Sequence, residues 1–283
     1  MERPLFRDAR VAFVILTWNS ERFIGPCLDS VLALECHSLD VYVEENGSTD
    51  STGQILERYE ERFRNLHVTY RVKNAGTTVP RNHALRSAIS GMDYVCVLDS
   101  DTVVNQEAFE IMVAALSGDS SLGVVGPLMA DSAGHEQLSG RNLPTLTIKL
   151  AKAAPLRAAR AWAEAAEVPA APVVGGVREV GYLLSACWVV PASVFDEVGF
   201  FDEAIFYAPE DVDWCLRCWK AGYRVALVPV ARIVHEYQRL SHQRIISRTN
   251  LEHLKGLAHY YRKHGYLFKA PVFGFLNQRE RHG

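Results

Sequence analysis

Two acidic residues separated by one position stand where a metal ion can be held. Asp99 and Asp101, with Ser100 between them, directly follow the apolar run Tyr94–Leu98. Two carboxylates at the point where a buried strand reaches the surface repel each other and lose solvation, so a cation or hydrogen bonds must compensate. A hard divalent ion that also binds phosphate oxygens is one such compensation. The pair alone is a weak signal, because aspartates are also common in solvated turns.

A second acidic cluster, at Glu210, Asp211 and Asp213, precedes the helical pattern Trp214–Ala221. Acids at the start of a helix are favoured by the helix dipole without any catalytic role. A carboxylate in a cleft can instead take the proton of an acceptor hydroxyl as a general base. Both interpretations stay open on these residues alone.

His235 is a third candidate for metal chemistry, because it ends the strand-like segment 231–234. A lone histidine after a strand is usually structural. Beside an Asp-x-Asp pair it becomes a candidate third ligand, since imidazole together with carboxylates suits Mn²⁺.

Polar residues also follow the other predicted strands, as a nucleotide site requires. Glu45 can accept hydrogen bonds from a nucleobase or a ribose, yet the following Asn46–Asp50 segment equally suits a turn and a helix cap. Arg81, in the first turn of a predicted helix, suits a diphosphate, although a solvated arginine is the commoner case. Thr17 and Asn19 follow the first strand in the same way.

A repeating strand–helix pattern places these residues. The predicted units are Val11–Leu16 with a helix from about Glu21, Val41–Val43 with a helix from about Thr52, Leu66–Val72 with a helix over about Pro80–Ile89, and Tyr94–Leu98 with a helix over about Gln106–Leu116. Strands that are apolar on both faces and alternate with helices predict a mostly parallel sheet covered on both sides. Ligands of such sheets bind at the carboxyl ends of the strands, where the candidate residues stand.

The second half of the chain has a different pattern. We expect an Ala-rich surface flap at 150–172, a strand over Tyr182–Val190, a helix opened by Pro191, a strand over Arg224–Val228 and a helix over Ser241–His264. The predicted organisation is a domain at 1–240, with halves at 1–128 and 129–240, and a helical tail at 241–283.

Composition excludes several classes of protein. A net charge of −3 gives no overall attraction to nucleic acid. The charged start of the chain does not resemble a secretory signal, and no apolar run approaches the ~18 residues of a membrane span. The six cysteines, including the Cys215-x-x-Cys218 pair, are interpreted as reduced core thiols rather than zinc ligands. We therefore expect a cytoplasmic protein, with an oligomer left open.

The C-terminal segment is basic and amphipathic. From Ser241 onward it carries eight basic and two acidic residues. Such a helix can lie peripherally on the inner face of an anionic membrane, or it can dock on the catalytic domain. The pattern does not distinguish these alternatives.

Taken in order, five segments resemble the family 2 glycosyltransferases, and within them the bacterial rhamnosyltransferase-like branch. The likeness spans residues 11 to about 265 and rests on Val14–Asn19, Glu45–Asp50, Val97–Asp101, Val198–Arg224 and Val228–His235. The resemblance implies a GT-A fold, a Rossmann-like α/β sheet flanked by helices. It makes 1–240 the catalytic domain, with 1–128 as the nucleotide-sugar-binding half and 129–240 as the acceptor and catalytic-base half. It also implies a nucleotide diphosphate sugar donor, such as dTDP-rhamnose or another hexose donor, and transfer with inversion, assisted by Mn²⁺ or Mg²⁺. The acceptor is a hydroxyl of a glycan or a lipid-linked substrate of polysaccharide or cell-wall synthesis.

The family's roles fall on matching positions of this sequence. By resemblance, Asp211 is the base, Glu210 orients it or contacts the acceptor, and Asp101 and His235 bind the metal. Asp99 faces the ribose or the metal. The remaining donor-side residues are Thr17, Asn19, Glu45, Asn46, Arg81 and Ser100.

Three departures from the family pattern qualify these roles. Glu45 stands where the family usually has Asp, which makes the donor base uncertain. His83 replaces a small residue after Asn82, which puts the diphosphate contacts of that loop in question. The 150–172 flap has no equivalent that we can place.

Other functions fit parts of the pattern. Asp99–Thr102 also matches the entry motif of haloacid dehalogenase-like phosphatases, with Asp99 as nucleophile, but that motif belongs near the first strand and here three units precede it. A nucleotide-sugar-binding protein without turnover is a further alternative. A nucleotidyltransferase is disfavoured, because no early Gly-rich loop carries an arginine.

Overall fold

The predicted strand–helix units of the first half form one side of a central sheet. The protein is described by a computed structural model that covers residues 3–236 and 248–273. The strands are β1 (Arg10–Thr17), β2 (Ser38–Glu45), β3 (Leu66–Tyr70), β4 (Tyr94–Asp99), β5 (Thr102–Val103), β6 (Leu122–Ala130), β7 (Glu136–Gln137), β8 (Gly140–Arg141), β9 (Val173–Val174), β10 (Val177–Glu179), β11 (Tyr182–Leu183), β12 (Cys187–Pro191) and β13 (Arg224–His235). The helices are α1 (Ile24–Leu32), α2 (Thr52–Glu60), α3 (Thr78–Ala88), α4 (Gln106–Gly118), α5 (Leu146–Ala153), α6 (Arg157–Glu167), α7 (Val194–Val198), α8 (Glu210–Lys220) and α9 (Arg248–His264).

The main sheet has the strand order β3-β2-β1-β4-β12-β6-β13-β10-β9, with β5 and β7 paired to β13 and β6. Strands β1 to β4 are parallel to one another, and so are β6 and β13. Strand β12 runs antiparallel between β4 and β6. The register places Thr17 opposite Glu45 and Leu16 opposite Asp99, so these strands end at one edge.

Both faces of the sheet are covered, as the doubly apolar strands predict. Phe13 and Ile15 pack on one face with the core residues of α1 and α4, whereas Ala12 and Val14 pack on the other with those of α3, α8 and α9. All four of these strand side chains are fully buried. Burial of large apolar side chains at about 1.5–3 kcal/mol each is the main stabilising term of such a core. The predicted α/β fold class is confirmed by this arrangement.

Several element boundaries differ from the sequence prediction. Helix α8 begins at Glu210, so the acidic cluster forms its first turn rather than a turn before it. The reason is that carboxylates near the unpaired backbone N–H groups of a first turn stabilise the helix. Helix α1 begins at Ile24, three residues after the predicted start at Glu21.

The predicted strand over 182–190 is divided between two sheets. Tyr182 and Leu183 pair with β8 in a separate two-stranded sheet, whereas Cys187–Pro191 joins the main sheet. Pro191 therefore ends β12 instead of opening a helix, and α7 begins at Val194. The division turns residues 184–186 towards the carboxyl edge, where Ala186 bonds the backbone of Asp99.

Strand β6 was not predicted from the sequence. Its residues include Gly123, Gly126 and Pro127, which obscure a strand pattern because they are unfavourable inside most strands. Gly123 is needed for close packing, since a Cβ there would lie 2.6 Å from the Sγ of Cys218. Strand β13 is also longer than the predicted Arg224–Val228 and continues through two register shifts to His235.

The 150–172 flap corresponds to two short helices, α5 and α6, and α9 begins at Arg248. Residues 241–247 of the predicted tail helix lie outside the described residues, as do Arg244, Arg279 and Arg281. Within the described part of the chain, no helix has the length and apolarity needed to span a bilayer.

Helix α9 packs on the start of α8 and fixes its position. A Cβ at Gly256 would lie 2.1 Å from the carbonyl oxygen of Ala208, two residues before α8. Asp213, fully buried in the first turn of α8, accepts bonds from His264 at 2.8 Å and Lys263 at 2.7 Å on α9. It also accepts one from Arg217 at 2.9 Å. The turn that carries Asp211 is therefore held from both sides.

Replacing Asp213 by asparagine is expected to destabilise the fold at neutral pH. Although burial alone would raise the pKa of Asp213, the hydrogen bond from His264 and the two neighbouring cations outweigh it and hold the pKa at about 2. Because this pKa is below the unfolded value, the stabilisation is present above about pH 4 and is lost as pH falls through about 2. A difference of this size corresponds to about 2 kcal/mol at pH 7.

Urea unfolding of the wild type and Asp213→Asn at pH 7 and at pH 3 measures this effect. We expect the difference in free energy of unfolding to be smaller at pH 3 than at pH 7. Asp8→Asn, at an exposed carboxyl, is the matched control and should differ little from the wild type at either pH. An Asp213→Asn difference of the same size at both pH values would contradict the ionised buried aspartate.

Candidate active site

Strand pairing brings the distant candidate residues to one edge of the sheet. The short strand β5 directly follows Asp101, and it pairs antiparallel with the end of β13, where Thr102 is opposite His235. The backbone N–H of Glu236 donates to the carbonyl of Asp101 at 2.9 Å. These contacts carry His235, 134 residues later in the chain, to the Asp99-Ser100-Asp101 turn.

Asp99, Asp101 and His235 form one cluster of possible metal ligands. One ligand atom from each lies within 4.8 Å of those of the other two. The Nε2 atom of His235 is 3.3 Å from a carboxylate oxygen of Asp101. Two carboxylates and one imidazole are a donor set that suits Mn²⁺, and the carboxylates suit Mg²⁺.

The side chain of Gln137 orients the imidazole of His235. Its amide nitrogen donates to the backbone carbonyl of His235 at 2.8 Å, which turns the amide oxygen towards Nδ1 at 2.7 Å. Because an amide oxygen only accepts, Nδ1 carries the hydrogen and Nε2 faces Asp101. Outer contacts of this kind fix the tautomer of metal-binding histidines.

The Nε2 atom of His235 and the Asp101 carboxylate face each other, and this arrangement requires a positive charge between them. Without one, two lone pairs would meet at 3.3 Å. Burial alone would lower the pKa of His235, but the hydrogen bond and charge of Asp101, together with Asp99, raise it above its usual value. A proton or a divalent ion satisfies this pair, so the residues fit a metal ion that replaces the proton.

Arg81 lies beneath this cluster, where it bonds protein acids. Its side chain is 3% exposed and donates to Ser185 at 3.0 Å, to Glu210 at 3.1 Å and to Asp99. Arg81, which we predicted to contact a diphosphate, joins α3, β4 and α8 through its guanidinium. Arg81 thus fixes Asp99 relative to the first turn of α8.

Glu210 and Asp211 lie side by side in that first turn. Burial is the main cause that raises the pKa of Glu210 to about 8, the charge of Asp211 adds to it, and Arg81 opposes both. Burial also raises the pKa of Asp211. The hydrogen bond from the Val212 N–H at 2.8 Å and the nearby cations lower this pKa, but by less than burial raises it. Both carboxyl groups are therefore weaker acids than exposed ones, and Asp211 is a stronger base than an exposed aspartate.

The predicted nucleoside residues surround the ends of β1 and β2. Glu45 is buried and accepts bonds from the backbone N–H of Ser48 at 2.7 Å and of Gly47 at 3.3 Å. Asn19, with a φ of 50°, accepts from the N–H of Thr49 at 2.8 Å. Their side chains therefore shape the 47–49 loop.

The other donor-side candidates also contact neighbouring loops. Asn46 donates to the carbonyl of Gly76 at 2.8 Å and joins two loops, while Ser100 and Ser20 share a hydrogen bond of 2.9 Å. The hydroxyl of Thr17 is buried with no hydrogen-bond partner among the described residues. Of these side chains, Thr17 is the one with an unused polar atom at the strand ends.

The His83 departure has a local explanation. Glu44, whose side chain is 1% exposed, pairs with Arg71 at 2.7 Å and also with His83. A buried carboxylate needs such partners. His83 therefore compensates Glu44.

Sequence reasoning missed Gln137 and the role of Ser185 at this site. Gln137 lies in the two-residue strand β7, and only its pairing with β6 brings it to His235. Ser185 lies in the interruption between β11 and β12, and its hydroxyl bonds Arg81 and Glu210. No local sequence signal distinguishes either residue from other polar residues.

Family models match nearly the whole chain. One described as Glycosyl transferase family 2 matches residues 12–156, and one described as Glycosyl transferase family group 2 matches residues 172–283. An N-acetylglucosaminyl-diphospho-decaprenol L-rhamnosyltransferase of Mycobacterium tuberculosis is 30% identical over 226 residues, which cover 75% of this chain and 72% of the relative. A poly(ribitol-phosphate) beta-glucosyltransferase of Bacillus spizizenii is 32% identical over 102 residues, 35% of this chain and 16% of that protein.

Solved structures share the fold. The S. aureus TarS 1-349 structure in complex with UDP-GlcNAc has a TM-score of 0.58 at 21% identity, over 84% of this chain and 62% of that one. GalNAc-T7 with UDP, GalNAc and Mn²⁺ has a TM-score of 0.66 at 14% identity, over 90% of this chain and 48% of that one. The mannosyltransferase PcManGT from Pyrobaculum calidifontis, in complex with GDP-Man and Mn²⁺, has a TM-score of 0.58 at 17% identity, over 93% and 66%. At these identities the likeness concerns the fold, and the predicted GT-A architecture is confirmed.

Proposed function

This chain belongs to the family 2 glycosyltransferases, in their rhamnosyltransferase-like branch, and on that basis we propose that it is a metal-dependent, inverting hexosyltransferase. Its donor is a nucleotide diphosphate sugar and its acceptor a hydroxyl of a glycan or a lipid-linked substrate. The observation that carries this proposal is the convergence of Asp99, Asp101 and His235 at one strand edge, with Arg81 connecting Asp99 to the turn of Glu210 and Asp211.

The metal ligands proposed are Asp101, His235 and the free oxygen of Asp99. A bound divalent ion, Mn²⁺ or Mg²⁺, supplies positive charge that stabilises the departing diphosphate. Gln137 supports this role because it holds the Nε2 atom of His235 towards Asp101. Arg81 supports it because it fixes one oxygen of Asp99 and leaves the second available.

Asp211 is proposed as the general base of a single in-line displacement. The acceptor oxygen bonds to the anomeric carbon, the bond from that carbon to the diphosphate oxygen breaks, and its electron pair leaves with the nucleoside diphosphate. The hydroxyl proton passes to Asp211, whose raised pKa favours this transfer. Glu210 positions the turn through Arg81 and Ser185.

The donor-side roles proposed are those of residues at the ends of β1 and β2. Thr17, with its unused hydroxyl, contacts the nucleoside, while Asn19, Glu45 and Asn46 shape the pocket through the loops that they hold. Ser100 lies between the ligands. The relative from M. tuberculosis is named as an L-rhamnosyltransferase, which favours dTDP-rhamnose as the first donor to test.

We also propose that the donor half and the acceptor half divide near residue 128 and that the enzyme works at the cytoplasmic face of a membrane. Helix α9 exposes Leu251 and Leu254 next to Lys255, a combination that suits a peripheral contact with anionic lipid. Because the chain belongs to the glycosyltransferases, we no longer propose the alternative of a phosphatase with Asp99 as nucleophile. The other alternative, a protein that binds a nucleotide sugar without turnover, is one possible result of the following experiment.

A panel of dTDP-, UDP- and GDP-sugars, each with Mn²⁺, Mg²⁺ or EDTA, tests the proposed function. We expect one donor to raise the melting temperature and to release nucleoside diphosphate slowly, in both cases only with a divalent ion. Binding without any release would support the protein without turnover. Release of equal rate in EDTA would contradict a metal-dependent transferase.

A further inference from the structure

A cluster of cations lies beside Asp211 that the proposed chemistry does not use. It consists of Arg141 on β8 and Lys149 and Lys152 on α5, and we call it the cationic cluster. The charges of Lys149 and Arg141 act on Asp211, and those of Asp211 and Arg141 act on Lys149. Pairing of β8 with β11, where Arg141 is opposite Tyr182, joins the cluster to the segment that carries Ser185.

One carboxylate serves two of the three cations. Glu167, whose side chain is 5% exposed, accepts from Arg141 at 3.1 Å and from Lys152 at 2.5 Å. Lys149 has no hydrogen bond from its ammonium group and no ion pair within the described residues, although it is partly buried and follows the buried Ile148 on α5. The cluster therefore has more positive charge than Glu167 compensates.

The energetic consequence is seen at Lys149. Burial lowers the pKa of Lys149, and the charges of Lys152 and Arg141 lower it further. The charges of Glu167 and Asp211 raise this pKa, but they do not cancel the lowering. His253 on α9 faces the same group, and its pKa is lowered by burial and by the charge of Lys149. A partly buried ammonium group without an ion pair, such as that of Lys149, is costly, so a bound anion would stabilise this arrangement.

The surroundings of the cluster are apolar and open. Leu150 follows Lys149 on α5 and is 61% exposed, and Leu254 follows His253 on α9 and is 63% exposed. The segment that follows α9 bonds the start of α5, because the N–H of Leu146 donates to the carbonyl of Leu267 at 2.7 Å and the hydroxyl of Tyr266 donates to the carbonyl of Pro144 at 3.1 Å. An anion held by the cluster would have exposed leucines beside it.

We propose that Arg141, Lys149 and Lys152 form a phosphate subsite that holds the phosphate or diphosphate ester of the acceptor while its hydroxyl faces Asp211. The inference rests on the proposed function and names the acceptor class of the same site. The ester is bound through charge-assisted hydrogen bonds, and no bond of the phosphate is made or broken.

Calorimetric titration with inorganic pyrophosphate in EDTA tests the subsite without donor or metal. Without a metal the donor site is acidic and repels pyrophosphate, so binding reports the cationic cluster. We expect the wild type to bind and Lys149→Met to bind at least tenfold more weakly, as the loss of one charge-assisted bond predicts. Arg157→Met, at an exposed arginine of the neighbouring helix α6, removes the same charge and should leave binding unchanged.

Geranyl diphosphate in place of pyrophosphate distinguishes the two sources of the anion. Tighter binding than pyrophosphate would assign the subsite to a lipid-linked diphosphate, and equal binding to a soluble phosphate ester. Lys152→Gln, at a partly exposed position, serves as a second variant if Lys149→Met does not fold, and it too should weaken pyrophosphate binding.

No pyrophosphate binding by the wild type, or equal affinity in Lys149→Met and the wild type, would overturn the subsite. Metal-dependent hydrolysis of the donor, measured separately without acceptor, reports the proposed function. If the enzyme hydrolyses the donor but does not bind pyrophosphate, the phosphate subsite is wrong and the proposed function stands. If no donor is bound or hydrolysed, the proposed function fails whatever the titration shows.

Discussion

Asp211→Asn is expected to lower the rate of sugar transfer by about 10²–10⁴-fold, the usual contribution of a positioned general base. The asparagine keeps the shape of the side chain but cannot take the acceptor proton. The metal ligands are on other elements, so the affinities for donor and Mn²⁺ should stay within about twofold. Transfer is measured as glycosylated acceptor, and donor affinity by calorimetry.

Two other variants serve as comparisons for Asp211→Asn. Glu210→Gln should lose less activity than Asp211→Asn, because Glu210 is proposed to accept bonds from Arg81 and Ser185, and the amide oxygen of glutamine can accept both. Asp196→Asn, at an exposed acid of α7, is the matched control and should transfer at the wild-type rate. Transfer by Asp211→Asn at near wild-type rate would place the base elsewhere.

Asp101→Ala is expected to weaken Mn²⁺-dependent donor binding by about 100-fold or more, with a corresponding loss of transfer. Asp101 is the informative ligand to change, because among the described residues its carboxylate faces the imidazole of His235. Removing Asp99 would also leave Arg81 buried without one of its acids, which costs about 3–5 kcal/mol of stability. A loss of donor binding in that variant could then not be assigned to the metal site.

Calorimetry of donor binding in Mn²⁺ and in EDTA measures the effect. The wild type should bind the donor much more tightly in Mn²⁺, whereas Asp101→Ala should bind equally weakly in both. Glu107→Ala, at an exposed acid of α4, is the control and should resemble the wild type. A full Mn²⁺ effect in Asp101→Ala would remove this residue from the metal site.

The strand–helix units of the first half could be predicted because their physical signal is local. Strands β1 and β4 are apolar on both faces, and polar residues mark where each ends. Strand β6 has no such signal, since its glycines and proline fit contacts made by β12 and β13, which are far away in the sequence. The acidic first turn of α8 could not be separated from a turn before the helix, because both tolerate carboxylates.

The candidate site was predicted as a set of residue types, but not as a network. The sequence indicated Asp99, Asp101 and His235, and the pairing of β5 with β13 brings them together. It did not indicate that Arg81 is buried between two acids or that Gln137 orients the imidazole. These contacts depend on long-range packing, which residue spacing does not report.

Anomalous diffraction at the manganese edge, from crystals grown with Mn²⁺ and the nucleoside diphosphate of the active donor, tests the central claim most directly. We predict a single strong peak about 2.0–2.4 Å from Nε2 of His235 and a carboxylate oxygen of Asp101, with a diphosphate oxygen at similar distance. The Asp211 carboxylate should face the same diphosphate. A peak bound away from these residues, or a diphosphate bound with no peak beside it, would contradict the claim.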